Sequence, residues 1–338
     1  MKYYQFKGGI KLIQPFTVNL PNTIHFPVDT NGNPLMPSQT LRGWLRFASY
    51  RSLLEVMKQR GELFSIHEHY LLAKGIDTGN LINNERATTI GLNIDVRKIN
   101  PMMDLFGRWG ISGALGVGSA IAPISSLVKS ANSSRGHIAD SFDDFDHYIT
   151  EGDKQLLLDI MEQDAETAPQ IQELKAKIKI IQHEKRNAPN FEQKTELNKQ
   201  IQQLQDRVAD IKGKKTGSKE SVRRVNYGLD VIAADSVAQH TMKLTGNHLG
   251  SLHFLFWTIS KLPLFRVGGG RSYNYGEVEP FWKITEHNFS HPEGFPCGEI
   301  GWKDGEFIKA LDIDIDVDLK AFESSLLDKE LFNFKYFG

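Results

Sequence analysis

The sequence predicts an α+β fold whose β-α…β-β-α-β frame is interrupted after its first helix by long insertions. Three observations predict it. An alternating strand near the N-terminus runs into a capped amphipathic helix. Two heptad stripes flank one turn in the middle of the chain. Strand-like alternation then returns, followed by an apolar helix and a glycine-dense loop.

Residues 1–20 alternate through Tyr4-Phe6 and Ile10-Leu12, and Gly8-Gly9 predicts a bulge in that strand. The turn-rich segment Asp29-Thr30-Asn31-Gly32-Asn33-Pro34 ends at Pro37. Ser38 has the residue type of an N-cap, and the helix it opens should run to about Gln59. Leu41, Trp44, Leu45, Ala48, Leu53, Val56 and Met57 form its apolar stripe, with Arg42, Arg46 and Arg51 largely off it.

Residues 60–150 are irregular and include a glycine-dense stretch from Leu105 to Gly118, which reads as an elaboration of loops and short strands rather than core. Ile171, Leu174, Ile178 and Ile181 are spaced 3, 4 and 3, and Leu197, Ile201, Leu204, Val208 and Ile211 are spaced 4, 3, 4 and 3. Joined by Asn187-Ala188-Pro189-Asn190, these stripes predict an antiparallel helical hairpin. Val222–Ile232 and Gln239–Thr245 read as strands, and 246–262 as an apolar helix. A further strand then leads into the loop 266–278. The frame is the split βαβ order of a ferredoxin-like domain. The division predicted is 1–60 for the first part of this palm, 61–152 for an insertion, 153–218 for a helical-hairpin finger, and 219–338 for the second part with a C-terminal segment.

Composition excludes several classes. Of the 338 residues 40% are hydrophobic and 24% charged, as in ordinary globular proteins. The longest apolar stretch, Leu252 to Ile259, is too short to span a bilayer, and the first residues lack a signal-peptide core. The lone Cys297 offers neither a disulfide nor a cysteine metal site, so a cytoplasmic location without membrane contact is expected. Net charge is −1, but it is segregated: 139–166 sum to −9, 171–224 to +7 and the last forty residues to −5. Such blocks suit solvated helix faces, and also a protein that grips phosphates and stacks on copies of itself.

Three segments in order resemble the RAMP superfamily of CRISPR-associated proteins: Leu35-Met36-Pro37-Ser38-Gln39-Thr40-Leu41-Arg42-Gly43-Trp44-Leu45-Arg46, then Asp104-Leu105-Phe106-Gly107, then Gly268-Gly269-Gly270-Arg271 through Gly276-Glu277-Val278. The first departs from the family pattern in having Ser38-Gln39 where glycine-serine is usual. Within the superfamily the length and large insertion most resemble backbone subunits, and the type IV backbone protein in particular. The resemblance implies an RRM-like palm that oligomerises along guide RNA, with copies of itself and other effector subunits, a helicase among the candidates, as partners. The guide would pair with target DNA or RNA, in defence against foreign nucleic acid. No cofactor and no metal are implied.

The residues that would carry RNA are Ser38, Gln39, Arg42, Arg46, Arg223, Arg224, Gly269, Gly270, Arg271, Tyr273 and Tyr275. Arg42 and Arg46 share a helix face near a dipole-positive end. In the loop, glycine permits close approach, arginine supplies charge and tyrosine can stack on a base. No Gly-Lys-Ser/Thr follows the glycines, which argues against a mononucleotide loop. His67 and His69 lack a third ligand at zincin spacing. The related type III subunits resemble this chain around Phe26-Pro27-Val28 but carry a cleaving aspartate where His25 stands, so no catalytic residue is expected, with Asp29 the nearest replacement. Two rivals remain: a RAMP endoribonuclease using His25 with a tyrosine, and a coiled-coil scaffold without nucleic acid.

Overall fold

The computed structural model describes residues 2–18, 26–79, 81, 90–108, 110–130, 133–135, 151–187, 190–213, 224–226, 229–246, 248–270 and 274–337. In chain order these form β1 (Tyr3–Leu12), β2 (Leu35–Met36), α1 (Ser38–Gln59), α2 (Ile66–Lys74), α3 (Ile90–Ile99), α4 (Pro101–Phe106), β3 (Leu115–Val117), β4 (Ala120–Ile121), β5 (Leu127–Lys129) and β6 (Ser133–Arg135). There follow α5 (Glu151–Asn187), α6 (Phe191–Gly213), β7 (Arg224–Asn226), β8 (Asp230–Ile232), β9 (Val237–Thr245), α7 (Leu249–Lys261), β10 (Val278–His287), β11 (Phe295–Lys303), β12 (Glu306–Leu311) and α8 (Leu319–Ser325). The chain divides into two compact units, 1–128 with 230–338, and 129–229. Helices and an antiparallel sheet make the first unit α+β.

Its sheet runs β12-β11-β10-β1-β9-β4-β2, with β3 also on β9. Central β1 is antiparallel to both β10 and β9. Alternation decides the faces: in β9 buried Ala238, His240, Met242 and Leu244 interleave with exposed Val237, Gln239, Thr241 and Lys243. The buried side carries α7, whose Phe256 ring meets Phe6 edge-on at 6.3 Å. Phe6, Ile10, Leu12, Trp257 and Trp282 are fully buried there.

Several expectations need correction. Register runs unbroken from Tyr3↔His287 to Leu12↔Val278, so Gly8-Gly9 makes no bulge in β1. A Cβ on Gly8 would stand 2.0 Å from the Phe281 carbonyl oxygen, so glycine serves close strand approach instead. The span 222–232 is not one strand but the short β7 and β8, with 227–228 outside the described residues. No strand precedes the glycine loop; Leu262–Leu264 form a 3₁₀ turn containing Pro263, and the strand follows as β10. The region after 60 is not peripheral: Leu71, Leu72, Met102, Met103 and Leu105 are fully buried in the main core. The compact boundaries accordingly fall at 129 and 230. Capping signals mark α2, where Ser65 accepts from the Glu68 amide and the Glu68 side chain accepts from the Ser65 amide.

The second unit holds the hairpin. Ile171, Ile178 and Ile201 are buried along its seam, as the heptad spacing requires. The turn residues Ala188 and Pro189 lie outside the described residues.

One buried histidine makes stability pH-dependent. Trp282 Nε1 can only donate, and does so to His240 Nδ1 at 3.1 Å, which leaves His240 Nε2 as donor to the Gly118 carbonyl at 3.1 Å. Both nitrogens are satisfied only in the neutral ring. Burial pushes its pKa down from 6.5 to about 4. Because the folded value lies below the unfolded one, this contribution is complete above pH 6.5 and is lost as pH falls towards 4. Urea midpoints should therefore fall across that window by an amount on the order of 3 kcal/mol in stability, and His240→Gln, which offers an acceptor and a donor but does not titrate, should flatten the fall.

Candidate nucleic-acid interface

The N-terminus of α1 is open. Its N-cap is Pro37, which gives no side-chain cap, and the first turn holds no acidic residue. Ser38 is thus the first helical residue rather than the cap, and its amide donates to the Ser119 hydroxyl at 3.1 Å. Leu41 N–H donates to the Pro37 carbonyl, and among the described residues the amides of Gln39 and Thr40 have no acceptor. Gln39 is exposed, and one turn on so is Gly43. A Cβ at Gly43 would meet nothing within 4 Å.

Arg42 and Arg46 point the other way. Arg46 is 8% exposed; its Nε donates to the Leu72 carbonyl at 2.6 Å and Nη2 to that of Leu71 at 2.7 Å, closing the C-terminal end of α2. Arg42 Nη2 donates to the Phe106 carbonyl at 2.8 Å, at the end of α4, and Nη1 donates to that of Leu115 in β3. Burial, with Arg42 nearby, brings the Arg46 pKa down to about 10, still protonated at neutral pH. Arg46 is therefore a structural residue rather than the phosphate ligand expected from sequence, and Nη1 and Nη2 of Arg42 likewise donate to carbonyls. A basic residue off an apolar stripe reads as surface in sequence, yet here the insertion folds over it.

The glycine loop is tied to the same helix. Trp44 Nε1 donates to the Phe265 carbonyl at 2.7 Å, and the Phe47 and Phe265 rings meet edge-on. Gly269 N–H donates to the Thr17 carbonyl at 2.8 Å and Gly276 N–H to that of Pro15 at 2.9 Å. Gly276 has φ +83°, and a Cβ there would stand 2.0 Å from the Val267 carbonyl oxygen, so the loop's own fold demands it. Gly270 lies against the Tyr275 ring, and Tyr275 N–H donates to the Gly270 carbonyl at 3.3 Å. Ser38, Gln39, Gly269, Gly270 and Tyr275 thus belong to elements joined through α1 and residues 15–17.

Arg223, Arg271, Tyr273 and His25 lie outside the described residues, and Arg224 is described only as backbone of β7, opposite Arg135. Asp29 sits in an exposed turn, its carboxylate accepting from the Asn31 and Asn33 amides and the Asn33 side chain. Those hydrogen bonds, the Asn33 side chain first, hold its pKa below the usual range. His67 bonds the Thr78 hydroxyl and His69 the Tyr50 hydroxyl, so each ring has a separate partner. Among the described residues no helix is long and apolar enough to cross a membrane.

No family model matches the chain, and no curated protein matches it. Among solved structures, Methanopyrus kandleri Csm3 is similar at a TM-score of 0.36 and 9% identity, over 86% of this chain and 79% of that one.

Arg46→Ala would leave the buried Leu72 carbonyl unpaired, at about 1–3 kcal/mol, whereas that of Leu71 keeps the Gly75 amide at 2.9 Å. Its expected signature is a loss of thermal stability of roughly that size, without any change in the salt dependence of RNA binding by the folded fraction.

Proposed function

We propose that this chain is a non-catalytic RNA-binding subunit of the RAMP type, which lines up in several copies along a guide RNA and holds its backbone. The observation that carries the reading is Gly43. Inside an α-helix glycine costs roughly 0.5–1 kcal/mol relative to alanine, and here no described atom needs the space. A glycine at a helical position where no neighbour needs the space fits a helix face approached from outside. The free amides of Gln39 and Thr40 on the same turn suit a phosphate.

The strand order supports the palm. β1-α1 leads to β3 and β4 beside β9, and β9-α7-β10 returns to the far side of β1, which fits the two interleaved βαβ units of a ferredoxin-like domain. Sequence recognition would then belong to base pairing, with the protein reading backbone shape. Kinship with the type IV backbone protein, and with it a DNA target and a helicase partner, is the finer reading and rests on the sequence resemblance.

Co-expressed with its guide, the protein should purify as elongated multimers carrying RNA; a nucleic-acid-free monomer would sink the proposal. Gly43→Ala should raise stability by roughly 0.5–1 kcal/mol. The bulkier Gly43→Leu should stay folded but weaken guide RNA of every sequence alike. Leucine binding as well as wild type would remove the observation on which the reading stands.

The subunit should leave complementary RNA intact in the presence of divalent metal. Metal-dependent cleavage that disappears in Asp29→Ala would instead make it an endoribonuclease with Asp29 as the acid.

A further inference from the structure

The sheet has a second face, and it carries charge that the fold leaves uncompensated. Lys7 on β1 stands directly opposite Lys283 on β10 and, on its other side, opposite Thr241 on β9. One row along, Gln5 stands between Lys243 and Thr285. Lys7, Lys243 and Lys283 are all exposed. Among the described residues none of the three makes an ion pair. Glu299, in register beyond Lys283, is not within ion-pair distance of it, whereas Lys11 at the end of β1 is matched by Asp304 at 3.3 Å. Like charges directly opposite one another destabilise a sheet, so the Lys7–Lys283 pair works against the isolated protein.

Aromatic rings lie among these cations. Phe281, half-buried, stands between Gly9 and Gly301 in register, so no side chain flanks it on either neighbouring strand. At the end of the face Tyr3 and His287 stack at 4.6 Å, with Lys243 Nζ 3.6 Å over the Tyr3 ring. Gln5, Gln239 and Thr241 add hydrogen-bonding groups between the lysines.

We propose that this face, formed by β9, β1 and β10, binds a single-stranded RNA segment. Lys7 and Lys283 take its phosphates and Phe281 takes a base. Aromatic surface interleaved with exposed cations is the arrangement that holds unpaired nucleotides without reading their sequence. Side-chain amides and hydroxyls on the same rows offer partners for the 2′-hydroxyl. An acidic peptide would satisfy the lysines but leave the ring without a stacking partner. The surface is separate from the N-terminus of α1, and the proposal stands whether or not that helix touches a guide.

The test uses the full chain and a fluorescein-labelled, mixed-sequence 20-nucleotide RNA, titrated by anisotropy over a range of salt. Lys7→Ala/Lys283→Ala should keep or raise thermal stability, since it removes the opposed pair. It should also flatten the log–log salt dependence by about 1.4, at roughly 0.7 per phosphate contact. Phe281→Ala should weaken binding about tenfold with little change in slope. RNA carrying 4-thiouridine should crosslink to the peptide containing Phe281, and should do so equally in Gly43→Leu, which separates this face from the helix. Unchanged slope in the double variant, or crosslinks confined to other peptides, would overturn the proposal. Equal affinity for DNA of the same sequence would overturn the choice of RNA, and competition by polyglutamate as strong as by unlabelled RNA would assign the face to an acidic protein.

Discussion

Two guanidinium groups on one helix organise the unit around them. Arg46 holds the last carbonyls of α2, and Arg42 holds the last carbonyl of α4 together with that of Leu115 in β3. Helix C-termini carry unpaired carbonyls and partial negative charge, and cations are the groups that satisfy both at once. Since β3 pairs with β9 beside the central strand, this polar node fastens α2, α4 and β3 to the sheet. The constraint extends to packing: a Cβ on Gly75 or Gly113 would stand 2.8 Å or 2.7 Å from these guanidinium atoms, so small residues surround the node.

That arrangement explains what the sequence could and could not reveal. α1 and the hairpin were legible because their apolar positions repeat with helical or heptad spacing; the α1 stripe is buried throughout and the hairpin stripe is buried or half-buried. Residues 60–128 were not legible. Gly107, Gly113 and Gly118 read as loop, although a Cβ on each would stand within 3 Å of a backbone carbonyl oxygen, of Ile111, Leu105 and Thr241 respectively. The roles of Arg42 and Arg46 depend on carbonyls 25 to 73 positions away, which no local pattern encodes. The C-terminal segment was read only by its charge, yet Phe332, Phe334 and Phe337 are buried and Asn100 Nδ2 donates to the Tyr336 carbonyl at 3.0 Å. Aromatic spacing without period is a poor sequence signal even where it closes a core.

Glycine gives the sharper lesson about the candidate site. Glycine motifs suggested a surface prepared for phosphate, but Gly269 and Gly276 spend their amides on the segment after β1. Gly8 and Gly276 have carbonyl oxygens 2.0 Å from where a Cβ would be, so the fold alone accounts for them. Gly43 has no such neighbour. Residue type alone could not separate Gly43 from Gly269 and Gly276, since each of the three sits in a segment resembling the same family. The space around the missing side chain does separate them: a clash identifies an internal requirement, and emptiness at a helical position points outward.

The same reasoning by unbalanced cost applies to the sheet. Lys7 and Lys283 alternate correctly with the core positions of their strands, so sequence marks them as solvated and nothing more. Only register sets them side by side, and only the lack of an ion-paired carboxylate among the described residues makes that costly. Arg42 and Arg46 show the opposite state, cations whose recorded donors go to the protein's own carbonyls. A charge already spent on the fold has little to offer a ligand. An unspent one, held beside another of the same sign, gains most when a polyanion arrives.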